Sequence, residues 1–397
     1  MSFFKKYIKI ETKYTSEKYS ILLEIFNIKL KFGIYYPLLN KWYCKFFGIK
    51  TLLIIRFDGV GDYILTRPFF KYLRNSKRFK DYKIIFIGSP DFVELSKKYD
   101  SDYIDCFVSV NIKNKIEREK LMKLAKKMRV TCIINPCDSK VNKYDEKFIS
   151  AIKADTKICN NGFFAKYDFN KKPKNVKNIL KTYNCVIDTN KNPVLVLENN
   201  RLFFEKIIGE PIDEILDLCD IDTFEKDFLS VNFDYILISH FARSETRTYG
   251  KENFSKIIDY INEKYKMPVV ILGSFYEKQE AESIRNLCKQ PEMVHNFAGK
   301  LSISETLIFI KNAKLLVANE TGTVHIAKNF KTKTLCISNG SYMSTFQPYS
   351  ESFMHYVYPD NIEELLEENK DKYGNLIDYD INNISPEKVV KKLEEIM

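Results

Sequence analysis

Two short segments of this chain carry side chains whose types and spacing could do chemistry, and both begin where an apolar run ends. The first is Arg56-Phe57-Asp58-Gly59-Val60-Gly61-Asp62, directly after the run at 52–55. A buried strand that stops at two glycines and two carboxylates places charge at the carboxyl edge of a parallel sheet, where open α/β folds keep their ligand crevices. Asp62 is therefore a site candidate, with a helix N-cap as the alternative role. The second segment is Asn319-Glu320-Thr321-Gly322-Thr323-Val324-His325. A strand followed by Thr-Gly at a helix start offers backbone N–H groups, a hydroxyl and the positive end of the helix dipole to an anion. The anion expected there is a pyrophosphate, with Glu320 at the crevice edge to accept hydrogen bonds from ligand hydroxyls. Capping of the helix uses the same residues and is the alternative.

A dinucleotide fingerprint fits the first segment poorly. Ile64 stands where the third glycine belongs, and Asp62 would set a negative charge beside an incoming pyrophosphate. The next strand-like run, 83–87, ends in Gly88-Ser89-Pro90 without an acid for a ribose. An oxidoreductase is weakened accordingly.

The elements that would hold these segments form two alternating series. In the first, 52–55, 83–87, 104–110 and 130–134 read as strands by length and β-branching, while 63–73, 92–98 and 116–128 read as helices. Pro68 should kink or restart the first helix. In the second series, 235–239, 269–272, 314–318 and 334–338 read as strands, and 253–264, 277–289, 304–311 and 324–330 as helices. Ser385-Pro386-Glu387 opens a closing helix, with serine as N-cap and proline in the first turn. Residues 160–230, rich in lysine and asparagine over 171–178, hold the interdomain region. The expected organisation is a basic, aromatic, amphipathic helical extension over 1–50, a Rossmann-like domain with the interdomain region over 51–230, and a second Rossmann-like domain with the closing helix over 231–397.

At 397 residues with 45% hydrophobic content the chain can bury two ordinary cores. Its nine cysteines are scattered and no secretory signal precedes them, so reduced thiols in a cytosolic protein are expected. Its four histidines lack metal-ligand spacing. Of the net charge of +11, residues 1–50 hold +7, from ten lysines and three glutamates, together with thirteen aromatic residues. Tyr35, Leu38, Leu39, Trp42, Tyr43 and Phe46 fall on one helical face with Lys41 and Lys45 on its flanks. Basic flanks on an aromatic face suit the interface of an anionic membrane, and packing on the first domain is the other reading. No recognisable nucleic-acid module accompanies the charge, so no nucleic-acid partner is expected.

The two segments, taken with Leu272-Gly273-Ser274, Phe297-Ala298-Gly299-Lys300-Leu301-Ser302 and Asn339-Gly340-Ser341 followed by Gln347-Pro348-Tyr349, resemble glycosyltransferase family 9, the lipopolysaccharide heptosyltransferase family. The likeness is close over 50–75 and 235–350. It implies a GT-B fold of two Rossmann-like domains facing a central cleft, the acceptor held mainly by the first domain and the nucleotide-sugar donor by the second. Family members generally work without a bound metal, and no cofactor is expected. Asp62 matches the family's proposed catalytic base, and Thr321 and Gly322 match its phosphate-contacting pair. Arg247 falls where a phosphate-binding lysine is usual, Glu320 where an aspartate is usual, and His325 matches a family histidine that could equally pack within its helix. Arg243 is a second expected phosphate contact, while Arg56, Asp58, Gly59 and Gly61 shape the first-domain loop.

The reading that follows is an inverting glycosyltransferase moving a sugar, heptose being the family's best-known, to a hydroxyl of a lipopolysaccharide or other surface glycan precursor, at the inner face of the cytoplasmic membrane. Its rivals are a nucleotide-dependent Rossmann oxidoreductase or epimerase and a non-catalytic glycan-binding subunit on the membrane surface.

Overall fold

In a computed structural model, which describes residues 8–15, 18–25, 28–32, 49–137, 143–160, 180–189, 195–215, 217, 231–370, 376 and 379–397, the two alternating series become two six-stranded parallel sheets. Ahead of them, β1 (Ile8–Thr15), β2 (Lys18–Ile25) and β3 (Ile28–Phe32) pair antiparallel in a small sheet of their own. The helix expected over 35–46 lies outside the described residues.

The first large sheet is built from β4 (Thr51–Arg56), β5 (Lys83–Gly88), β6 (Cys106–Ser109), β7 (Arg129–Asn135), β8 (Lys153–Asn160) and β9 (Cys185–Ile187). Its order is β6-β5-β4-β7-β8-β9, so the strand order reverses between β4 and β7. Proline restarts the first helical stretch as expected: α1 (Val60–Ile64) gives way to a 3₁₀ turn at Arg67–Phe69 and then α2 (Phe70–Asn75). The helix begins three residues earlier than the sequence suggests, which puts Gly61 and Asp62 inside its first turn. Then come α3 (Pro90–Tyr99), α4 (Lys115–Ala125), α5 (Lys143–Ala151) and α6 (Val196–Ile208).

The second large sheet repeats this topology. Its strands are β10 (Ile236–Ser239), β11 (Val269–Leu272), β12 (Val294–Asn296), β13 (Leu315–Asn319), β14 (Thr334–Ile337) and β15 (Met354–Val357), in the order β12-β11-β10-β13-β14-β15. The helices are α7 (Lys251–Tyr265), α8 (Lys278–Leu287), α9 (Ile303–Asn312), α10 (Gly322–Asn329), α11 (Ile362–Asn369) and α12 (Pro386–Ile396). Ser385 caps α12 as expected, its hydroxyl accepting from the Lys388 N–H at 3.3 Å.

Parallel strands covered on both faces are apolar on both faces. In β4, Leu52 and Ile54 face one core while Leu53 and Ile55 face another, all four essentially without exposure. The Leu52 core runs on through Phe203, Phe204, Val231 and Tyr235 to Leu237, Val270 and Leu316 of the second sheet. The two halves therefore share packing, and α3 lies against α9 across the boundary. This shared core fixes how the carboxyl edges of β4 and β13 meet.

Candidate active site between two helix starts

Arg56 ends β4 with its side chain buried, and it organises the loop that follows. Its Nε donates to Asp58 Oδ1 at 2.7 Å, Nη1 donates to the Thr66 hydroxyl, and Nη2 stands 3.8 Å from Asp62 Oδ1. Burial disfavours the guanidinium charge, but Asp58 and Asp62 outweigh it and hold the Arg56 pKa above the ordinary arginine value. Asp62 is not the N-cap of α1. Gly59 is, and Asp62 sits three residues into the helix, with Oδ2 accepting from the Gly59 N–H at 3.2 Å. About a third of its side chain, 32%, remains open to solvent. Burial pushes Asp58 up to about 6, with Arg56 opposing and Asp62 adding to the rise.

On the second sheet, Thr321 is the N-cap of α10, and its hydroxyl oxygen is enclosed without a hydrogen-bond partner. Glu320 is buried, with Oε2 accepting from the Ser338 hydroxyl at 2.8 Å. Arg247 closes a 3₁₀ turn, Glu245–Arg247, after β10. Its guanidinium lies 4.7 Å from the centre of the Tyr342 ring and donates to the Glu320 carbonyl at 3.4 Å. Arg243 is exposed on the loop between β10 and that turn.

His325 Nδ1 and the Tyr349 hydroxyl share a hydrogen bond of 2.7 Å, and burial pushes the imidazole down to about 4, with Asp62 opposing. His325 is thus packed, yet packed within reach of the Asp62 charge. His240, the residue after β10, is buried with neither ring nitrogen partnered, and burial lowers it to about 4. Sequence reasoning passed over His240, although a histidine directly after a strand of the second series was a signal. Tyr342 and Ser338 had no local signal; they reach the site from the strand and loop beyond β13.

The two segments meet at their glycines. A methyl on Gly61 would lie 2.9 Å from Gly322 Cα and 3.1 Å from His325 Cδ2, and one on Gly322 would lie 3.1 Å from the Gly61 nitrogen. The first turns of α1 and α10 are in backbone contact. Arg56, Asp58, Gly59, Gly61 and Asp62 are thereby brought to Thr321, Gly322 and His325, while Arg247 and Glu320 line the second-sheet side and Arg243 stands at its exposed margin.

Two doubly wound sheets that join carboxyl edge to carboxyl edge in this way make the GT-B fold. A family model described as glycosyltransferase family 9 (heptosyltransferase) matches residues 166–373. The chain belongs to that family and is a glycosyltransferase, which decides against the oxidoreductase, epimerase and non-catalytic readings. Three solved structures share the fold. A family 9 glycosyltransferase from Veillonella parvula is 16% identical with a TM-score of 0.64, covering 88% of this chain and 97% of that one. E. coli heptosyltransferase WaaC with ADP-2-deoxy-2-fluoro heptose is 13% identical with a TM-score of 0.62, covering 87% and 100%. E. coli ADP-heptose lipopolysaccharide heptosyltransferase II is 16% identical with a TM-score of 0.61, covering 87% and 98%. No curated protein matches the chain.

Proposed function

We propose that this glycosyltransferase moves a sugar, with inversion at its anomeric carbon, from a nucleoside diphosphate to a hydroxyl of a lipopolysaccharide or related surface glycan precursor. The contact between Gly61 and Gly322 carries the reading, because it sets a partly exposed carboxylate against the start of a helix whose cap hydroxyl is unpartnered. Asp62 takes the acceptor proton as the oxygen attacks, and a single base on one side with a leaving group on the other is the arrangement of one displacement. Arg56 positions Asp62 by binding the same loop. The α10 N–H groups, Thr321 and Arg247 hold the diphosphate and offset the charge that grows as it departs. Glu320, Arg243 and His325 complete the donor side, and the first domain takes the acceptor.

WaaC has been solved with a fluorinated ADP-heptose, so ADP-heptose is the first donor to assay. The lysines and aromatic face of residues 1–50 support peripheral contact with an anionic membrane at the cytoplasmic face, and no helix among the described residues is long and apolar enough to cross one. The test is transfer from a panel of nucleotide sugars to a lipid-free glycan acceptor, with the product anomer read by NMR. A retained configuration would overturn the single displacement, and absence of transfer with every donor would overturn the reading as a whole.

A further inference from the structure

Eight large apolar side chains are markedly exposed among the described residues, and three of them, Phe241, Phe275 and Tyr276, stand on loops leaving the carboxyl ends of β10 and β11. Phe275 is 72% exposed and Tyr276 93%, with their rings edge to face at 5.9 Å. Large aromatic surface left in water calls for an explanation when it is clustered at the edge where a ligand binds.

The loop beneath these rings is firmly built. Ser274 N–H donates to Glu277 Oε2 at 2.8 Å, and the Glu277 N–H returns to the Ser274 carbonyl at 3.1 Å. Gly299, on the loop after β12, has φ of +71°, and a methyl there would lie 2.8 Å from Phe275 Cα. Only glycine fits that backbone conformation without strain and leaves room for the approach. The backbone of Phe275 is therefore packed against the Gly299 loop while its ring stands in solvent.

Position then selects the ligand. Thr321 and Gly322 follow β13, and β11 lies two strands away across β10. Two strand spacings make about 10 Å, which matches the reach of an extended nucleoside diphosphate from its phosphates to its base. We infer that Phe275 and Tyr276 are the platform on which the donor's nucleobase stacks, the ribose crossing the end of β10 between them and the phosphates. The inference rests on the donor site proposed above. Stacking engages the face that every base possesses, so this platform supplies affinity while leaving the choice of base to edge contacts.

Calorimetric titration with ADP, GDP, UDP, CDP and inorganic pyrophosphate tests it, using the full chain, F275A, Y276A, the double variant, F275W and R247A. Both rings are exposed, so these substitutions leave the core untouched. The double variant should bind the preferred nucleoside diphosphate about ten-fold more weakly, in line with loss of base stacking, and should bind pyrophosphate as the parent does. F275W should retain or improve nucleotide affinity. If nucleotide binding falls in R247A but not in the double variant, the platform is wrong and the donor site stands. If the parent binds no nucleoside diphosphate, the donor site and the platform fall together. An equal loss of nucleotide and pyrophosphate binding in the double variant also overturns the platform, since it would mean that the loop itself had moved.

Discussion

Gly61 and Gly322 lie backbone against backbone, so close that a methyl on either would intrude on the other. Each glycine follows a different sheet, and their contact sets the separation between Asp62 and the start of α10. Gly61→Ala should force the two helix starts apart. A displacement near 1 Å at reacting groups can cost about 10²-fold in rate, so turnover at saturating donor should fall by ten- to a hundred-fold. Nucleotide binding, proposed for the second sheet, should change little. An alanine variant with parental turnover would show that the contact does not set the reacting geometry.

Asp62→Asn keeps size and polarity but cannot take a proton. Turnover should drop by roughly 10²- to 10⁴-fold, as expected for loss of a general base, with donor affinity nearly unchanged. Single-turnover measurements with saturating acceptor isolate the effect. Parental turnover would reduce Asp62 to its hydrogen bond with the Gly59 N–H and leave the reaction without its base.

Arg247 offers two separable properties, a charge and a planar surface on Tyr342. Arg247→Ala should both weaken donor binding and slow transfer, because the charge on the departing diphosphate grows during bond cleavage. Arg247→Lys restores the charge without the ring stacking. It should recover much of the turnover and less of the affinity. If neither variant moves either quantity in a steady-state assay over donor concentration, Arg247 lies outside the donor site.

The strands of both sheets nearest the site were readable because each is a short, β-branched run closed by a polar turn; 269–272 matches β11 residue for residue. Pro68 and Ser385 marked helix boundaries by restricting or capping the backbone locally. β6, at the edge of the first sheet, was readable within 104–110, but β8, β9 and β12 were not, for the opposite reason. β8, Lys-Ala-Asp-Thr-Lys-Ile-Cys-Asn, is half polar, and β9 and β12 have only three residues each, so their strand state comes from pairing with a neighbour. Within the site, sequence supplied Asp62, Thr321 and Gly322 from strand ends. It could not supply the Gly61–Gly322 contact, since two glycines far apart in the chain carry no mark of each other. Nor could it show that His240 and Glu320 are buried, because burial depends on residues distant in the chain, such as Ser338 beyond β14 for Glu320.

The lysines and aromatics of residues 1–48 lead to a separate expectation. Anionic lipid should attract the lysines, and apolar burial of the side chains from Tyr35 to Phe46 should add binding that salt does not screen. Removing residues 1–48 should abolish co-sedimentation with anionic liposomes and leave transfer to a lipid-free acceptor largely intact. Insolubility of the shortened chain would instead assign the aromatic face to packing on the first domain.

His325 makes stability depend on pH in a direction that can be worked out. Its imidazole is pushed from the ordinary 6.5 down to about 4, first by burial, so the unfolded chain binds a proton that the native one refuses between those values. Stability therefore falls as pH drops below about 6.5, by about 1.4 kcal/mol per pH unit, or about 2 kcal/mol by pH 5. His240 shifts the same way through burial. Asp58 works in the opposite sense: raised to about 6, it takes a proton in the native state before the unfolded state does, which adds stability on acidification. Comparison with His325→Gln removes both contributions from the answer, since only the His325 proton differs. Glutamine can keep a hydrogen bond to the Tyr349 hydroxyl without titrating. Urea midpoints at pH 6.5 and pH 5 should separate further in the parent than in the variant, by the equivalent of about 1.5 kcal/mol, since the unfolded imidazole is already half protonated at pH 6.5. Equal separations would mean that native His325 accepts a proton at pH 5, which a buried imidazole bonded to Tyr349 should not.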